Sequence, residues 1–241
     1  MANLIWGFLT VVATIVVALF GAKIPATFWD DRRVWFVGAV VVLALSSVRT
    51  LLLNFIGQRS LAQERRVQDA LKTAYVQIVE LSGIDYRDVG LHAFLVRGYR
   101  LRPWRKRLVR VGRWRLKSTP PVTGIEWTRG KGLIGRCWEL RQNVGANLAE
   151  EWGFEELDES EWESLEEAVR YGFSYDEYLR VRAYGAVVAV PILDDAGGFI
   201  GCVSADAPGE TYDLIWTEEV LGALHDAGLW IEATARKTSR T

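Results

Sequence analysis

The chain has 241 residues, a formal net charge of −1 and two cysteines, a length that accommodates one domain of roughly 150 residues and an accessory region. A net charge so close to zero argues against nucleic acid as the main partner, because binding to a phosphate backbone requires an excess of basic residues. Two cysteines are too few for a framework of several disulfides, so the composition does not indicate an oxidising compartment.

The first 57 residues predict a two-helix transmembrane hairpin. Residues 2–22 contain no charged side chain, and at about 1.5 Å per residue they can cross a hydrocarbon core of ~30 Å. Residues 34–56 form the second predicted span, which Arg49 interrupts. A cleaved signal peptide is the alternative for the first span, but the start lacks basic residues and the region lacks an obvious cleavage pattern. We therefore expect residues 1–57 to be a retained membrane anchor.

Arg49 would carry a charge into the second predicted span. Its long side chain can extend to the lipid headgroups, or it can face a helix bundle or an aqueous pore. Basic residues are more frequent from Arg49 onwards than in the hairpin loop, and they are Arg49, Arg59, Arg65, Arg66 and Lys72. Because positively charged flanks stay in the cytoplasm, we expect a multi-pass protein of the plasma (inner) membrane with its C-terminal domain in the cytoplasm.

Residues 58–83 predict a linker helix that becomes the first helix of the soluble domain. Its apolar residues are four and three positions apart, as in a heptad seam, and they are Val67, Leu71, Ala74, Ile78 and Leu81. Two interpretations are open. The apolar face packs on the sheet of its own domain, or it forms a dimer seam that carries a signal to or from the membrane.

Two predicted strands, residues 90–96 and 108–116, are joined by a basic connection. Residues 97–117 include ten basic side chains interleaved with aromatic ones. If Gly112 forms a bulge, the arginines of the second strand share one face, and these are Arg110, Arg113 and Arg115. Three roles remain open for the basic segment: a solvated strand face, contact with anionic lipid beside the anchor, and binding of a phosphorylated ligand or nucleic acid.

Residues 150–177 predict an acidic helical insertion with twelve acidic residues and one arginine. We expect one surface helix over residues 160–171, with Trp162, Leu165 and Val169 facing inward. Acidic runs usually form solvated faces. Contact between this segment and the basic connection is the alternative.

Three motifs resemble the GAF domain family. Residues 130–135, GKGLIG, resemble its glycine-marked turn, residues 190–192, VPI, its Val-Pro strand, and residues 199–203, FIGCV, its closing strand. The resemblance covers about residues 60–237. It implies a GAF/PAS-like α+β fold, with a central antiparallel sheet and helices on both faces, over residues 84–237.

The resemblance also implies a small-ligand pocket, roofed by about residues 125–184. The expected ligand-binding residues are Trp127, Arg136, Cys137, Trp138 and Tyr184. Aromatic side chains with one or two cations suit a planar or phosphorylated, nucleotide-like ligand, although they can equally fill an unliganded core. The identity of any cofactor stays open.

The same resemblance argues against catalysis. One branch of the family, the free methionine sulfoxide reductases, has a cysteine in the glycine turn, where this chain has Ile134. We expect Cys137 and Cys202 to be buried packing residues, and His92 and His225 lack metal-ligand spacing. The expectation is therefore neither a catalytic residue nor a metal site, with cysteine-based redox chemistry as the alternative.

From these expectations we predict a membrane-anchored, cytoplasmic regulatory protein. It would bind a small ligand or a partner protein and signal through oligomerisation, as a dimer or a larger assembly. The alternative is a membrane effector, in which ligand binding drives assembly and the hairpin disrupts the bilayer, as in some bacterial defence systems. A ligand-free interaction scaffold is the third possibility. Anionic lipid is a candidate partner of residues 97–117.

Overall fold

The computed structural model describes residues 2–23, 33–99, 102–121, 123–153 and 155–239. The chain divides into two compact units, Met1–Leu61 and Ala62–Thr241. Each unit is described by itself below.

The first unit contains helix α1, Ala2–Ala22, and the beginning of helix α2, Arg33–Ser82. Within them, Ile5–Ala22 and Arg33–Leu52 have mean hydropathies of 2.3 and 1.9, and each is long and apolar enough to cross a membrane. Most of their apolar side chains are exposed. The hydroxyl groups of Thr10 and Ser46 lie 2.9 Å apart and form a hydrogen bond between the two helices.

Arg49 lies in this first unit, in the apolar part of α2. Its guanidinium carbon is 5.7 Å from the centroid of the Trp6 ring in α1. This distance is within the range of a cation–π interaction. The charge is therefore placed against an aromatic side chain of the neighbouring helix.

The second unit contains a five-stranded antiparallel sheet in the order β2-β1-β5-β4-β3. Its strands are β1, Gly90–Tyr99, β2, Arg102–Arg115, β3, Val144–Asn147, β4, Ala186–Leu193, and β5, Phe199–Ala207. Its remaining helices are α3, Gly132–Leu140, α4, Leu148–Trp152, α5, Glu159–Ser164, α6, Glu167–Arg170, α7, Tyr175–Val181, α8, Tyr212–Ile215, and α9, Glu218–Ser239.

Helices cover both faces of this sheet. The end of α2 and helix α9 pack on one face, in a core that includes Leu91, Val190 and Leu224. Helices α3 to α7 cover the other face with a cluster rich in aromatic side chains. The predicted central antiparallel sheet with helices on both faces is confirmed.

The apolar stripe of the linker helix lies mainly in this core. Val67, Leu71, Ala74 and Ile78 are each at most 2% exposed and pack on the sheet of their own domain, whereas Leu81 is 53% exposed. Gly112 of β2 permits the close approach, because a β-carbon there would lie 2.5 Å from Cγ1 of Val67. A dimer that used α2 would therefore have to use its exposed side.

The acidic insertion differs from the single predicted helix over residues 160–171. The structure has three short helices, α5, α6 and α7, because the backbone is extended at Leu165 and left-handed at Tyr171. Capping boxes start two of them, with Asp158 and Ser174 as N-caps. The inward orientation of Trp162, Leu165 and Val169 agrees with the expectation, since all three pack in the aromatic cluster.

Candidate functional site

A cavity of about 60 Å³ lies between the sheet and helices α3 to α7. Most of its wall is apolar, formed by Phe94, Trp127, Leu133, Ile134, Leu148, Phe173, Val181 and Val187. Polar side chains gather at the strand side, and these are His92, Arg110, Tyr184, Ser204 and Asp206, with Tyr171 on the helix side. An apolar cavity with a few convergent polar groups is the usual form of a small-molecule site.

The structure places two of the five expected ligand-binding residues in the cavity wall, Trp127 and Tyr184. The other three lie outside it. Arg136 stacks on the Tyr171 ring, with its guanidinium carbon 4.0 Å from the centroid, and donates to the Ala168 carbonyl. Trp138 stacks on Phe199 with a centroid distance of 5.8 Å.

Helix α3 accounts for this division. Leu133 and Ile134, in its first turn, line the cavity. Cys137, the third of the residues outside the cavity, lies one turn further along, in a core cluster that also contains Cys202 and Ile134. The glycine turn serves packing here, because a β-carbon on Gly132 would lie 2.7 Å from the Trp127 ring.

The polar end of the cavity is built across three adjacent strands. His92 of β1 lies with its Nε2 2.7 Å from Oδ1 of Asp206 on β5. Arg115 of β2 forms an ion pair with the other carboxylate oxygen of Asp206. The side chains of all three residues are at most 6% exposed. A buried carboxylate thus holds one histidine and one arginine in place.

Burial holds the pKa of His92 well below its usual value, and the charges of Arg110, Arg113 and Arg115 lower it further. The contact with Asp206 by itself would favour the charged ring, but burial and three cations outweigh one carboxylate. The ring is therefore neutral. Because a carboxylate only accepts hydrogen bonds, Nε2 of His92 carries the proton and donates it to Asp206. Nδ1 of His92 is left as an acceptor, and it has no hydrogen-bond partner among the described residues.

The three arginines of β2 do not form a solvated strand face. The bulge predicted at Gly112 falls at Val111, since Gly112 pairs with Ala93 while Arg110 pairs with Phe94. As a result, Arg110, Arg113 and Arg115 share the face that carries the cavity. Of the three roles left open for the basic segment, a solvated strand face does not describe these arginines, because the helical layer and the following loop cover that face.

Residues 119–121 of this loop close the polar end. Arg113 Nη2 donates to the Pro120 carbonyl at 2.6 Å, and Arg115 Nη1 donates to the Thr119 carbonyl at 2.9 Å. The Tyr184 hydroxyl donates to the Pro121 carbonyl at 3.2 Å. Two of the three arginines therefore have carbonyl partners in the loop.

Arg110 is the arginine that lines the cavity itself. Its guanidinium carbon is 5.4 Å from the centroid of the Phe94 ring. Burial lowers the pKa of Arg110, while Tyr184 raises it. Two of its buried nitrogens, Nε and Nη1, have no hydrogen-bond partner within the described part of the chain.

The two cysteines meet beside the cavity. Cys137 and Cys202 are both fully buried and neither forms a disulfide. Burial raises the pKa of the Cys202 thiol well above its usual value, and a hydrogen bond with Cys137 raises it further. Cys202 is therefore a neutral thiol in this fold. Across the described ranges, no cluster of three metal-ligating side chains was found.

The sequence prediction missed His92 and Asp206 as cavity residues. The available signal was the alternation in β1, where Leu91, Ala93 and Leu95 are apolar and share the other face.

Comparisons with known proteins give matches of fold alone. No protein-family model matches the sequence, and no curated protein matches it. Similar solved structures include the GAF domain of a phosphoenolpyruvate-protein phosphotransferase from Acinetobacter, which is 13% identical with a TM-score of 0.44. That alignment covers 75% of this chain and 95% of the other. The GAF domain of a two-component sensor histidine kinase from Bacillus halodurans is 14% identical, with a TM-score of 0.42 and coverages of 71% and 94%.

A third similar structure corrects one prediction. The type II free methionine-R-sulfoxide reductase from Thermoplasma acidophilum is 11% identical, with a TM-score of 0.43, and the alignment covers 73% of this chain and 96% of that one. The prediction that the chain is not an enzyme is wrong, because the proteins of similar fold include enzymes. At this identity the neighbours assign neither an activity nor a ligand to this chain. With its five-stranded antiparallel sheet and helices on both faces, the second unit has a GAF-like fold.

Proposed function

We propose that this chain is a membrane-anchored regulatory protein whose GAF-like domain binds a small molecule in the aromatic cavity. One observation carries the proposal: His92 and Arg110 line the cavity, and Nδ1 of His92 and two nitrogens of Arg110 are buried without a partner in the described residues. Buried polar atoms normally have partners, because an unpaired one costs about 1–3 kcal/mol. A ligand in the cavity would supply the missing partners.

Native mass spectrometry of the detergent-purified chain tests ligand and copy number together. We expect a bound small molecule in the native protein and its loss in Ile134→Phe, because the larger side chain occupies part of the cavity. Leu140→Phe is the matched control, since Leu140 lies on the same helix but is 55% exposed. Two results together would contradict the proposal. The native protein would carry no small molecule, and its melting temperature would stay the same in every metabolite fraction tested.

In this proposal, the two apolar helices anchor the protein in the plasma membrane and leave the GAF-like domain in the cytoplasm. The support is their length and hydropathy together with the basic residues that follow the second span. Reporter fusions at residue 241 and in the predicted loop at Asp30 should report opposite sides of the membrane. An external C-terminus would contradict the proposal, because cytosolic ligands would not reach the cavity.

We further propose that the signal passes through association with a second copy. A groove runs between the end of α2 and helix α9, lined by residues such as Thr73, Gln77 and Trp230. Trp230 is 72% exposed and its neighbour Leu229 is 63% exposed. Exposed large apolar side chains beside a groove favour a protein contact.

Sedimentation in detergent tests this contact. We expect Trp230→Ser to lower the copy number of the assembly. Trp104→Ser is the control, because Trp104 is 74% exposed but lies in the basic segment of residues 97–117, away from the groove. An unchanged copy number in Trp230→Ser would contradict the proposed contact.

A further inference from the structure

We propose that the cavity binds a small hydroxy acid, whose carboxylate pairs with Arg110 and whose hydroxyl donates a hydrogen bond to Nδ1 of His92. This inference rests on the proposed function, since it names the chemical class of ligand for the same cavity. Charge, hydrogen-bonding capacity and volume each narrow that class.

The charges favour an anion. Arg110, Arg113 and Arg115 share the cavity face of β2, and the carboxylate among them, Asp206, is already paired with Arg115. Asp88, further out, pairs with Lys117. Neither Arg110 nor Arg113 forms an ion pair with another described residue. A part-buried cation without a counter-ion is unfavourable, so a carboxylate at Arg110 would stabilise the site.

The histidine adds a second requirement. Nε2 of His92 donates to Asp206, so Nδ1 can only accept a hydrogen bond, and it is buried without a partner in the described part of the chain. The ligand must therefore offer an N–H or O–H donor close to its acidic group. A charged ammonium group is disfavoured there, because three arginines surround the histidine. A hydroxyl group meets the requirement without adding positive charge.

The volume limits the size of the ligand. The cavity measures about 60 Å³, so it has room for more than a single water molecule. Lactate and glycolate are small acids that carry both a carboxylate and a hydroxyl group. The rings of Phe94, Trp127 and Phe173 form the apolar wall, which suits a methyl group.

Isothermal titration of the full-length chain in detergent, with lactate as the probe, tests the inference. We expect lactate to bind and propionate, which lacks the hydroxyl, to bind about three- to tenfold more weakly, as a neutral hydrogen bond provides. Alanine should also bind more weakly than lactate, because it places an ammonium group beside the arginines. Methyl lactate, which lacks the charge, should bind at least about tenfold more weakly.

Two variants separate the roles of the side chains. Arg110→Gln should weaken lactate binding at least about tenfold, whereas Arg105→Gln, which removes the same charge from an exposed position of β2, should leave it unchanged. His92→Leu removes the ring acceptor, while Asp206 keeps its ion pair with Arg115. We therefore expect the preference of this variant for lactate over propionate to fall towards one. If His92→Leu does not fold, the ligand series on the native chain decides the point.

The inference is overturned if lactate does not bind, if Arg110→Gln binds it as tightly as the native chain, or if inorganic phosphate binds more tightly than lactate. Its failure is distinct from failure of the proposed function. If lactate does not bind but native mass spectrometry finds another small molecule that Ile134→Phe removes, the hydroxy-acid inference fails and the proposed function stands.

Discussion

Arg115 reaches across β1 and pairs with Asp206 on β5, two strands away. Gly90 lies between them in the sheet, paired with Arg115 on one side and with Asp206 on the other. A β-carbon on Gly90 would lie 2.5 Å from Nη2 of Arg115, inside van der Waals contact. The glycine therefore leaves the space in which the ion pair forms, and the ion pair holds the carboxylate that orients His92.

The first prediction concerns this glycine. Gly90→Ala should lower the free energy of unfolding by about 2 kcal/mol or more, because the new methyl group displaces the Arg115 guanidinium from its buried partner. Urea denaturation of the detergent-purified chain measures the change. Gly222→Ala is the control, since no atom lies near its added β-carbon in helix α9, and it should be neutral or stabilising. Equal effects of the two substitutions would contradict the steric role of Gly90.

The second prediction concerns pH. The pKa of His92 is held well below its usual value in the fold, while in the unfolded chain it is about 6.5. Below that pH the unfolded chain binds a proton that the folded chain does not, so stability should fall as the pH is lowered from 7 to 5. One such group contributes a slope of at most about 1.4 kcal/mol per pH unit.

Denaturation curves between pH 7 and pH 5 measure this slope. His92→Gln should flatten it. His225 is the comparison, because burial also lowers its pKa but it is only half-buried, and its Nε2 donates a hydrogen bond to Oδ1 of Asn143. His225→Gln should keep most of the slope, and a slope that survives His92→Gln unchanged would show that other groups cause it.

The third prediction concerns the buried thiols. Each of Cys137→Ser and Cys202→Ser should cost about 1 kcal/mol or more, because a hydroxyl group in an apolar core loses its hydrogen bonds to water. The alanine variants at the same positions should cost less if this polar penalty dominates. Because both thiols are fully buried, a thiol reagent should react only after unfolding. Rapid reaction of the folded chain would contradict the burial.

The fourth prediction separates an anchor from a membrane effector. We expect an unrelated two-span hairpin of matched length and orientation, in place of residues 2–56, to leave function intact. An inert anchor needs only apolar length. Arg49→Leu should also be silent in that case, although Arg49 contacts Trp6.

Dye leakage from vesicles that contain the purified chain is the measurement. An effector requires specific helix faces, and a charge that lines an aqueous path at a depth where charge otherwise costs a few kcal/mol. Ligand-dependent leakage by the native chain that disappears on the hairpin exchange, and weakens in Arg49→Leu, would favour the effector over the anchor.

Several features of the fold follow from local sequence alone. The two apolar stretches are long enough to predict helices that can span a membrane, and the spacing of Val67, Leu71, Ala74 and Ile78 predicts one helix face. The Val-Pro strand and the closing strand predict the hairpin of β4 and β5. These predictions depend on the spacing of apolar residues and on the length of each apolar stretch, and residues that are close in sequence determine both. Two of the three short helices of the insertion also had a local signal, in the capping boxes at Asp158 and Ser174.

The position of the cavity and the residues that line it depend on the tertiary structure. Local alternation places His92 and Phe94 on one face of β1, and a bulge places Arg110, Arg113 and Arg115 on one face of β2. The local sequence pattern does not indicate whether that face is exposed to water or covered by another layer of the fold. The helices α3 to α7 and residues 119–121 cover it. Asp206 lies 114 positions from His92 in the chain, so only the pairing of β1 with β5 brings the two together.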